Sequence, residues 1–512
     1  MLKKIISLAL CAAVCTGIFA LAGCGEKTDG GKTDDGYVQS ESINLFPKPD
    51  EGYAGDPIPF YDGENLNVYY IHDARGWNDG YFHPWNLFRT NNFYEWEDLG
   101  RVIAGNYNDK ANQDYGIGTG TVLKGNDGRY HAFYTGWNGY PQADVEFTEK
   151  VQHAVSDDLI NWTKIPEDGF YGGVDDFRDP HVVWVPEDNC YWMLVSTWRG
   201  FGDYKAVLKW YKSTDLSHWE YAGIFYDDAV NGDFMECPTL INYNGYWYLS
   251  YFQKAVDGTN ARVTRYVYKK NLSDAEWIRP EVDYFDGAGL SAARLVQCGD
   301  KLVTVGWIGT KISDWDPGLF TWAGNLAVHE LRQREDGSLY VVPIDGVAGA
   351  LTHETQYETT YTGESVEYGG GTATFSESDR FQYLLFEDMR EEALKTQFTL
   401  KAESGKAGLT FARASTGYGE VCIEFDLDAG LLSFFNTKPT LTDTAASQAV
   451  VALPAAKDGG YECTMISQGE CLTLYVNGQI ALSTRIYNLT GYEFGLYASG
   501  ESAVFSDLKF FN

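Results

Sequence analysis

The sequence predicts an all-β protein: a five-bladed β-propeller followed by a C-terminal β-sandwich. Three observations support this prediction. A short segment that ends in tryptophan recurs through the first half of the chain, and short alternating strands lie between its copies. In addition, 55 glycines and an aromatic content of 15% suit a protein of pleated strands and tight turns. At 512 residues the chain is long enough to form more than one hydrophobic core.

The repeated segment ends at Trp96, Trp162, Trp219 and Trp277, which are 66, 57 and 58 residues apart. In the first three copies a small hydroxyl residue stands six places before the tryptophan, and the fourth copy is looser. About four short strands per unit of about 60 residues are typical of a propeller blade. Four units end at Trp277, and residues 283–343 leave room for a fifth.

The composition divides the chain into four segments. We expect a signal peptide of the lipoprotein type at residues 1–23, a flexible tether at 24–48, the propeller at 49–345 and the β-sandwich at 357–512. The tether is rich in Gly, Lys, Asp and Thr and has little to bury. The last segment is rich in strands but contains no copy of the blade repeat, which favours a separate sandwich.

The N-terminus has the order of charge, apolar run and small residues that is typical of a signal peptide. Lys3-Lys4 precede an apolar run from Ile5 to Leu21, and the run ends in Leu21-Ala22-Gly23-Cys24. These last four residues resemble a bacterial lipobox, which implies cleavage before Cys24 and lipidation of its thiol. We therefore expect an exported protein that is lipid-anchored to the outer face of a bacterial membrane. The alternative is an ordinary signal peptide in which Cys24 is incidental.

Three carboxylates stand at matching places in the predicted blades. Asp56 and Asp179 each lie 40 residues before a repeat tryptophan, Glu236 lies 41 residues before one, and each has a proline one or two residues later. Because the first strand of each blade lines the central channel, equivalent residues on different first strands converge near its axis. We therefore expect the three acids to face one another. Near the same place, blade two carries Thr119 in a run of small residues that leaves room for a ligand.

Carboxylates clustered in this way permit three interpretations. Two carboxyl groups can cleave a glycosidic bond, and a third acid can hold sugar hydroxyls or stabilise positive charge on the ring. Arg178 would then help to keep Asp179 ionised. A calcium site also favours clustered carboxylates, and each acid can instead cap a turn of its blade. Three acids at one register favour the catalytic interpretation.

The charge and histidine content exclude several classes of partner. The formal net charge is −33, with only 39 Lys and Arg, whereas nucleic-acid binding needs clustered basic residues. The same charge disfavours an anionic substrate, so a neutral one fits best. The eight histidines form no HExxH motif and no clustered ligand set. We therefore expect no nucleic acid, no metal and no cofactor.

Six motifs follow one another between about residues 50 and 345. They are Arg178-Asp179-Pro180, Glu236-Cys237-Pro238, Tyr284-Phe285-Asp286-Gly287-Ala288, Val305-Gly306-Trp307-Ile308-Gly309, Thr321-Trp322-Ala323-Gly324-Asn325 and His329-Glu330-Leu331. In sequence and order they resemble glycoside hydrolase family 32, the β-fructosidases that include invertases, inulinases and levanases. The C-terminal region looks like the β-sandwich of that family.

The resemblance implies a retaining cleavage of β-fructosidic bonds through a covalent fructosyl-enzyme. It implies that Asp56 is the nucleophile, that Asp179 stabilises the transition state, and that Glu236 is the general acid/base. It also predicts a separation of roughly 5–5.5 Å between the carboxyl groups of Asp56 and Glu236, as in retaining pairs.

The substrate site implied by the resemblance includes residues around the three acids. We expect Arg178 and Thr119 to contact the substrate, and Trp85 and Trp307 to form aromatic walls beside the fructosyl ring. Around the nucleophile the chain departs from the family, because Gly55-Asp56-Pro57-Ile58-Pro59 stands where the family has Asn-Asp-Pro-Asn-Gly. The neighbouring sugar-holding residues do not carry over, which implies a shifted specificity.

Three functions remain open at the level of sequence. The first is a β-fructosidase that acts on fructans or sucrose. The second is a propeller hydrolase that acts on another furanoside, such as arabinan. The third is a catalytically inactive lipoprotein that binds carbohydrate at the cell surface, and the intact set of three acids speaks against it.

Overall fold

The computed structural model describes residues 37–75, 83–139, 145–174, 176–228, 234–254, 262–411, 421–436 and 447–512. The predicted signal peptide and Cys24 lie outside these residues. Among the described residues, none of the helices combines the length and the apolar character that crossing a membrane requires. Strands make up nearly all of the regular structure, as the composition predicts.

Within the described residues, the first nineteen strands form the five predicted blades. Blades one and two are β1 (Tyr53–Tyr61), β2 (Leu66–Asp73), β3 (Trp85–Thr90), β4 (Glu97–Ile103), then β5 (Gly116–Lys124), β6 (Tyr130–Trp137), β7 (Glu149–Ser156), β8 (Trp162–Lys164). Blades three and four are β9 (Arg178–Val185), β10 (Cys190–Gly200), β11 (Asp203–Ser213), β12 (Glu220–Tyr226), then β13 (Phe234–Tyr243), β14 (Tyr246–Lys254), β15 (Val263–Lys269). Blade five is β16 (Leu290–Cys298), β17 (Lys301–Lys311), β18 (Phe320–Gln333), β19 (Leu339–Val342).

The first and last blades share one sheet. Strand β1 pairs antiparallel with β18, with Ala54 opposite Gly324, so blades one and five form a single eight-stranded sheet. The N-terminal strand of the propeller is thereby hydrogen-bonded to its last blade. This pairing places Asp56 on β1 beside the strands of blade five.

The segment before each of the first three repeat tryptophans is a turn held by its hydroxyl residue. Ser156 Oγ accepts hydrogen bonds from the backbone N–H groups of Asp158 and Leu159 at 3.1 and 3.0 Å, and Ser213 Oγ accepts one from Leu216 at 2.8 Å. Leu159 and Leu216 have positive φ angles of 69° and 67°. The recurring hydroxyl residue is therefore explained by a recurring side-chain cap on the turn.

Three of the four repeat tryptophans pack against the preceding blade. Each therefore seals a boundary between two blades, which is the structural role that a recurrent tryptophan in a propeller predicts. The ring pairs and their centroid distances are Trp162–Tyr69 at 6.0 Å, Trp219–Phe133 at 5.5 Å and Trp277–Phe225 at 5.8 Å.

The C-terminal region is a sandwich of two antiparallel sheets. After the helix α1 (Asp345–Ala350), its strands are β20 (Glu354–Thr355), β21 (Thr359–Thr362), β22 (Val366–Gly369), β23 (Thr372–Phe375), β24 (Ser378–Asp388), β25 (Leu394–Lys401), β26 (Lys406–Phe411), β27 (Val421–Asp426), β28 (Leu431–Phe435), β29 (Ala449–Ala452), β30 (Tyr461–Gln468), β31 (Cys471–Val476), β32 (Ile480–Arg485), β33 (Glu493–Gly500), β34 (Ala503–Phe511). One sheet has the order β22-β23-β34-β25-β30-β31-β32, with β20 beside β34, and the other has the order β21-β24-β33-β26-β27-β28-β29. Phenylalanine and leucine side chains from both sheets fill the space between them.

A buried polar network joins the sandwich to the propeller. Asp286, which precedes β16, accepts hydrogen bonds from the backbone N–H and the hydroxyl of Ser483 on β32, at 2.8 and 2.6 Å. Its carboxylate also lies 3.1 Å from Nε2 of His329, whose Nδ1 is 2.8 Å from the hydroxyl of Tyr475. All four residues are buried. Because buried polar groups must keep their partners, this network fixes how the two domains meet.

We predict that Asp286→Ala destabilises the protein strongly. Removing the carboxylate leaves the buried Ser483 and His329 groups without their acceptor, which should lower the free energy of unfolding by about 3 kcal/mol. Urea unfolding followed by tryptophan fluorescence measures this loss. Asp379→Ala, at an exposed position of β24, serves as the control and should change stability by less than about 0.5 kcal/mol. Equal effects of the two substitutions would contradict the role assigned to the network.

Candidate active site

The inner strand of every blade bulges at the same level of the channel. On β1, β5, β9, β13 and β16, two residues stand opposite a single residue of the neighbouring strand. Such bulges re-aim side chains and are common beside active sites. The bulged pairs are Asp56-Pro57, Gly118-Thr119, Asp179-Pro180, Cys237-Pro238 and Ala292-Ala293.

The bulges hold their first residues in a strained backbone conformation. Asp56, Asp179, Cys237 and Ala292 have positive φ angles of 35°, 57°, 52° and 47°. Non-glycine residues seldom adopt this region, and its occurrence is concentrated at functional sites. The second bulge position is proline in three blades, because a bulged residue need not donate to the strand ladder. Thr119 occupies that second position in blade two.

The register corrects the predicted equivalence of the three acids. Cys237, and not Glu236, occupies the bulge position that Asp56 and Asp179 occupy in their blades, which explains why Glu236 lies 41 rather than 40 residues before its tryptophan. Glu236 is instead equivalent to Arg178 on β9. Since β9 and β13 are neighbouring inner strands, these two side chains meet, and Arg178 Nη2 donates to Glu236 Oε1 at 2.9 Å.

The bulges surround a cavity of about 700 Å³. Asp56, Asp179 and Glu236 all line it, so the three acids converge as the repeat predicts. A volume of this size is typical of pockets that bind small organic ligands. The aromatic side chains that line it beside the acids include Trp137, Phe252, Trp307, Phe320 and Trp322.

Two indole groups of blade five hold Asp56. Trp307 Nε1 on β17 donates to Asp56 Oδ1 at 3.3 Å, and Trp322 Nε1 on β18 donates to both oxygens at 3.3 Å. Burial, helped by the charges of Asp179 and Glu236, raises the pKa of Asp56 from its ordinary value of 3.8 to about 7, although the two indole hydrogen bonds act in the opposite direction. Asp56 is therefore held in place by two donors, and its pKa lies close to neutral pH.

Asp179 is the most enclosed of the three acids and binds to its neighbours on both sides. Its Oδ2 accepts a hydrogen bond from the backbone N–H of Cys237 at 2.9 Å, and its own N–H donates to Thr135 Oγ1 at 2.9 Å. Burial raises the pKa of Asp179, and although Arg178 opposes this effect as expected, the net direction is upward. Arg178 therefore acts on the pKa of Asp179 in the expected direction, but its effect is smaller than that of burial.

Arg178 lies among carboxylates and remains a cation. Besides Glu236, its guanidinium reaches Asp176 Oδ1 at 2.5 Å and Glu149 Oε2 at 3.3 Å, and it lies 4.4 Å from the ring centroid of Phe234. Burial acts to lower the pKa of Arg178, but the carboxylates of Glu149 and Glu236 outweigh it and raise the pKa above its ordinary value. The guanidinium is thus a permanent positive charge at the edge of the catalytic acids.

A second arginine ties the bulges of different blades together. Arg294 on β16 is buried, and its guanidinium donates to the backbone carbonyl of Gly120 on β5 and to that of Pro238 on β13, the latter at 2.6 Å. It also lies 3.5 Å from the hydroxyl of Thr119. Because these bonds link blades two, four and five behind the cavity, they fix the positions of the inner strands that carry the acids.

Comparison with known proteins identifies the family. The model of the glycosyl hydrolases family 32 N-terminal domain matches residues 47–343, which is the propeller. The chain belongs to glycosyl hydrolase family 32. Two relatives are levanbiose-producing levanases. The one from Geobacillus stearothermophilus is 23% identical over 50% of this chain and 65% of its own length, and the one from Bacillus subtilis (strain 168) is 22% identical over 42% and 55%. The chain therefore spans less than two thirds of either relative.

Solved structures of family 32 proteins share the fold. The exo-inulinase of Aspergillus awamori is 14% identical, with a TM-score of 0.68 over 92% of this chain and 98% of that one. The sucrose-6-phosphate hydrolase of Lactobacillus gasseri is 17% identical, with a TM-score of 0.67 over 92% of each chain. Fructan 1-exohydrolase IIa of Cichorium intybus is 15% identical, with a TM-score of 0.65 over 92% and 98%. At these identities the likeness confirms the five-bladed propeller and the sandwich.

For this family 32 chain, the structure brings most of the predicted substrate residues to the cavity. Arg178, Thr119 and Trp307 line it. Trp85 does not, and its prediction as an aromatic wall is wrong. Its indole is fully buried, donates to the carbonyl of Gly118 at 2.9 Å and packs 5.8 Å from Tyr134. Trp85 is therefore core between blades one and two, where large aromatic side chains fill the wedge between adjacent sheets.

Three further groups at the site escaped the sequence analysis. Trp322 lies in a quoted family motif, but its contact with Asp56 depends on the pairing of β1 with β18. Arg294 and Glu149 belong to no motif that was singled out. Glu149 is paired with Trp137 of β6, and both side chains line the cavity. This placement is visible only in the structure. The one charge in the otherwise apolar strand β16 is the sequence signal for Arg294, whereas Glu149 stands at the polar start of β7 and has no such signal.

The calcium interpretation finds no support among the described residues. No group of three or more His, Cys, Asp or Glu side chains in this part of the chain is arranged to hold a metal ion. The acids at the cavity are instead bonded to Arg178, to two indoles and to a backbone N–H group.

We predict that Asp56→Asn stabilises the protein at alkaline pH. The pKa of Asp56 is higher in the folded state, at about 7, than its ordinary value of 3.8, so this group lowers the free energy of unfolding as pH rises through that window. The asparagine variant lacks this loss and tolerates a positive φ. Urea unfolding should show it to be more stable than the wild type by about 2 kcal/mol at pH 8, with the difference fading towards pH 4.

Asp62→Asn provides a control with the opposite sign. Burial acts to raise the pKa of Asp62, but hydrogen bonds from Asn65, Asn67 and Glu64 outweigh it and lower the pKa. This variant should therefore be less stable than the wild type above about pH 4, and the difference should fade as pH falls below that value. A stability difference for Asp56→Asn that does not change between pH 4 and pH 8 would show that Asp56 titrates normally.

Proposed function

We propose that this protein hydrolyses β-fructosidic bonds in fructans or sucrose by a retaining double displacement. The observation that carries the proposal is the convergence of Asp56, Asp179 and Glu236 on one cavity of a family 32 propeller. Two carboxyl groups on either side of a scissile bond are the usual equipment for glycoside hydrolysis. The curated relatives, both levanases, support fructans as the substrate class.

Each acid takes the role that the resemblance to the family implies, and its contacts support that role. Asp56, held by two N–H donors, attacks the anomeric carbon and forms the fructosyl-enzyme. Glu236, partly exposed in the cavity, protonates the leaving oxygen and afterwards takes a proton from the attacking water. Asp179, fixed by the N–H of Cys237, stabilises positive charge as it develops on the sugar ring.

The crowding of carboxylates suits this division of roles. The first step requires one acid that is ionised and one that carries a proton. Burial and mutual repulsion raise the pKa of both Asp56 and Asp179, so the cluster retains protons at pH values where isolated carboxylates would be fully ionised. The indole donors act against this rise and favour the ionised form of Asp56, which is the form that attacks as a nucleophile.

The proposal extends to the location of the protein. The sequence Leu21-Ala22-Gly23-Cys24 after an apolar run supports lipidation of Cys24 and anchoring at the outer face of a bacterial membrane. The residues between Cys24 and Val38 would then act as the tether. The remainder of the predicted tether (24–48) packs against the fold, because Ile43, Leu45 and Phe46 are buried in its core. An enzyme held there would meet polymeric substrate outside the cell.

The activity is tested by incubating the purified protein with levan, inulin, sucrose and arabinan. We expect release of fructose, with kcat reduced at least about 10³-fold in Glu236→Gln and in Asp56→Asn. Glu220→Gln, which changes an exposed residue on the outer strand β12, should retain full activity. Release of pentose from arabinan alone, or fructose release that persists in both variants, would contradict the proposal.

The location is tested with Cys24→Ser in a bacterial host. The wild-type protein should partition with membranes, incorporate radiolabelled palmitate and be released by detergent. The serine variant lacks the thiol that carries the lipid and should appear in the soluble exported fraction. Recovery of the wild-type protein in that soluble fraction, without label, would exclude the anchor.

A further inference from the structure

A fourth carboxylate, which the double displacement does not require, faces the same cavity. Glu149 is the first residue of β7 in blade two, and its side chain is only 13% exposed. It lines the cavity together with the three acids. Burial raises the pKa of Glu149 to about 7, against the opposing effect of Arg178. A largely buried carboxylate with a raised pKa inside a cavity is a candidate functional residue.

Arg178 links this carboxylate to the general acid/base. Its Nη1 lies 3.4 and 3.3 Å from the two oxygens of Glu149, and its Nη2 lies 2.9 Å from Oε1 of Glu236. Asp176 also accepts from Nη1, at 2.5 Å, but its side chain is 42% exposed. One guanidinium thus serves two carboxylates inside the cavity and a third at its rim.

The sharing matters because a general acid must hold a proton before the first step. A guanidinium at hydrogen-bond distance favours the ionised form of a carboxylate, so Arg178 alone would work against proton donation by Glu236. Near and above pH 7, where Glu149 ionises, this second carboxylate on the same guanidinium offsets its positive charge and also repels a negative charge on Glu236. Both effects help Glu236 to keep its proton.

We propose that Glu149 is a positioning residue that shares Arg178 with Glu236 and thereby keeps Glu236 able to donate its proton. This inference rests on the proposed function for the role of Glu236, whereas the electrostatic coupling itself does not. The other charged and titratable groups at or beside the described cavity are Asp56 on β1, His83 before β3, Asp179 on β9, Cys237 on β13, Arg262 before β15 and Arg294 on β16. None of these lies between Glu149 and Glu236 as Arg178 does.

The direct test is the pH profile of kcat/KM, measured with the natural fructoside. In Glu149→Gln the full charge of Arg178 acts on Glu236, so the alkaline limb should move to lower pH by about one unit. Glu149→Asp keeps the charge and should lie closer to the wild type. Asp176→Asn removes a carboxylate from the same guanidinium at an exposed place, so its shift should be smaller. An unchanged alkaline limb in Glu149→Gln would overturn the proposal.

A fructosyl substrate with an activated leaving group separates this role from a sugar contact. Such a substrate needs no protonation of the leaving oxygen, so Glu149→Gln should cleave it nearly as fast as the wild type does in the first step. If Glu149 merely held the sugar, KM would rise for both substrates and the alkaline limb would stay in place. That result would also overturn the proposal.

Thermal unfolding tests the coupling without any activity. Wild type, Glu149→Gln, Glu236→Gln and the double variant form a cycle. At pH 8 the double variant should be less stable than the single effects predict, because the repulsion is relieved only once and Arg178 loses both cavity partners. At pH 4 the effects should add. Additivity at pH 8 would refute the coupling even in an active enzyme, whereas non-additivity in a protein inactive on every fructoside would refute only the proposed function.

Discussion

Five bulges at one level of the channel are the constraint on which the site depends. Each inner strand gains one residue there, and the first residue of four bulges adopts a positive φ. A regular strand alternates its side chains between the two faces of a blade. The bulges re-aim Asp56 and Asp179 from this alternation towards the channel. Arg294 stabilises the bulges, because its guanidinium donates hydrogen bonds to backbone carbonyls of blades two and four.

The second feature of the site is an excess of negative charge over positive charge. Four carboxylates line the cavity, and the guanidinium of Arg178 lies among Glu149, Asp176 and Glu236. In such a cluster no acid titrates alone, because each proton that leaves raises the affinity of the remaining carboxylates for theirs. The arrangement costs stability at neutral pH, which is the expected conflict between a functional site and the stability of the fold.

Much of the fold could be read from the sequence because its signals are local. The hydroxyl residue and the tryptophan of a repeat lie six residues apart on one capped turn, so the blade count followed from the spacing of these segments. The convergence of the acids followed from the same spacing. The one-residue offset of Glu236 did not, because the count from a tryptophan cannot show where a bulge inserts its extra residue. That offset decides which side chain meets Arg178.

The remaining features depend on contacts between segments that are distant in sequence. Trp322 reaches Asp56 only because β18 closes the ring against β1, and no local pattern reveals that pairing. Trp85 shows the opposite case, since an aromatic residue beside the nucleophile hairpin looked suited to the sugar but fills the wedge between two blades. Glu149 is joined to Glu236 through Arg178, and this contact links residues of three blades that are distant in sequence.

The account rests most heavily on Asp56 as the nucleophile of a retaining reaction, and one measurement tests this directly. Glu236→Gln is mixed with a fructosyl substrate that carries an activated leaving group, quenched in acid and digested for peptide mass spectrometry. We expect one fructosyl unit attached to the peptide that contains Asp56, because attack proceeds while the step that needs Glu236 as base is slow. An unlabelled Asp56 peptide, together with a first-formed product of inverted configuration, would contradict the account.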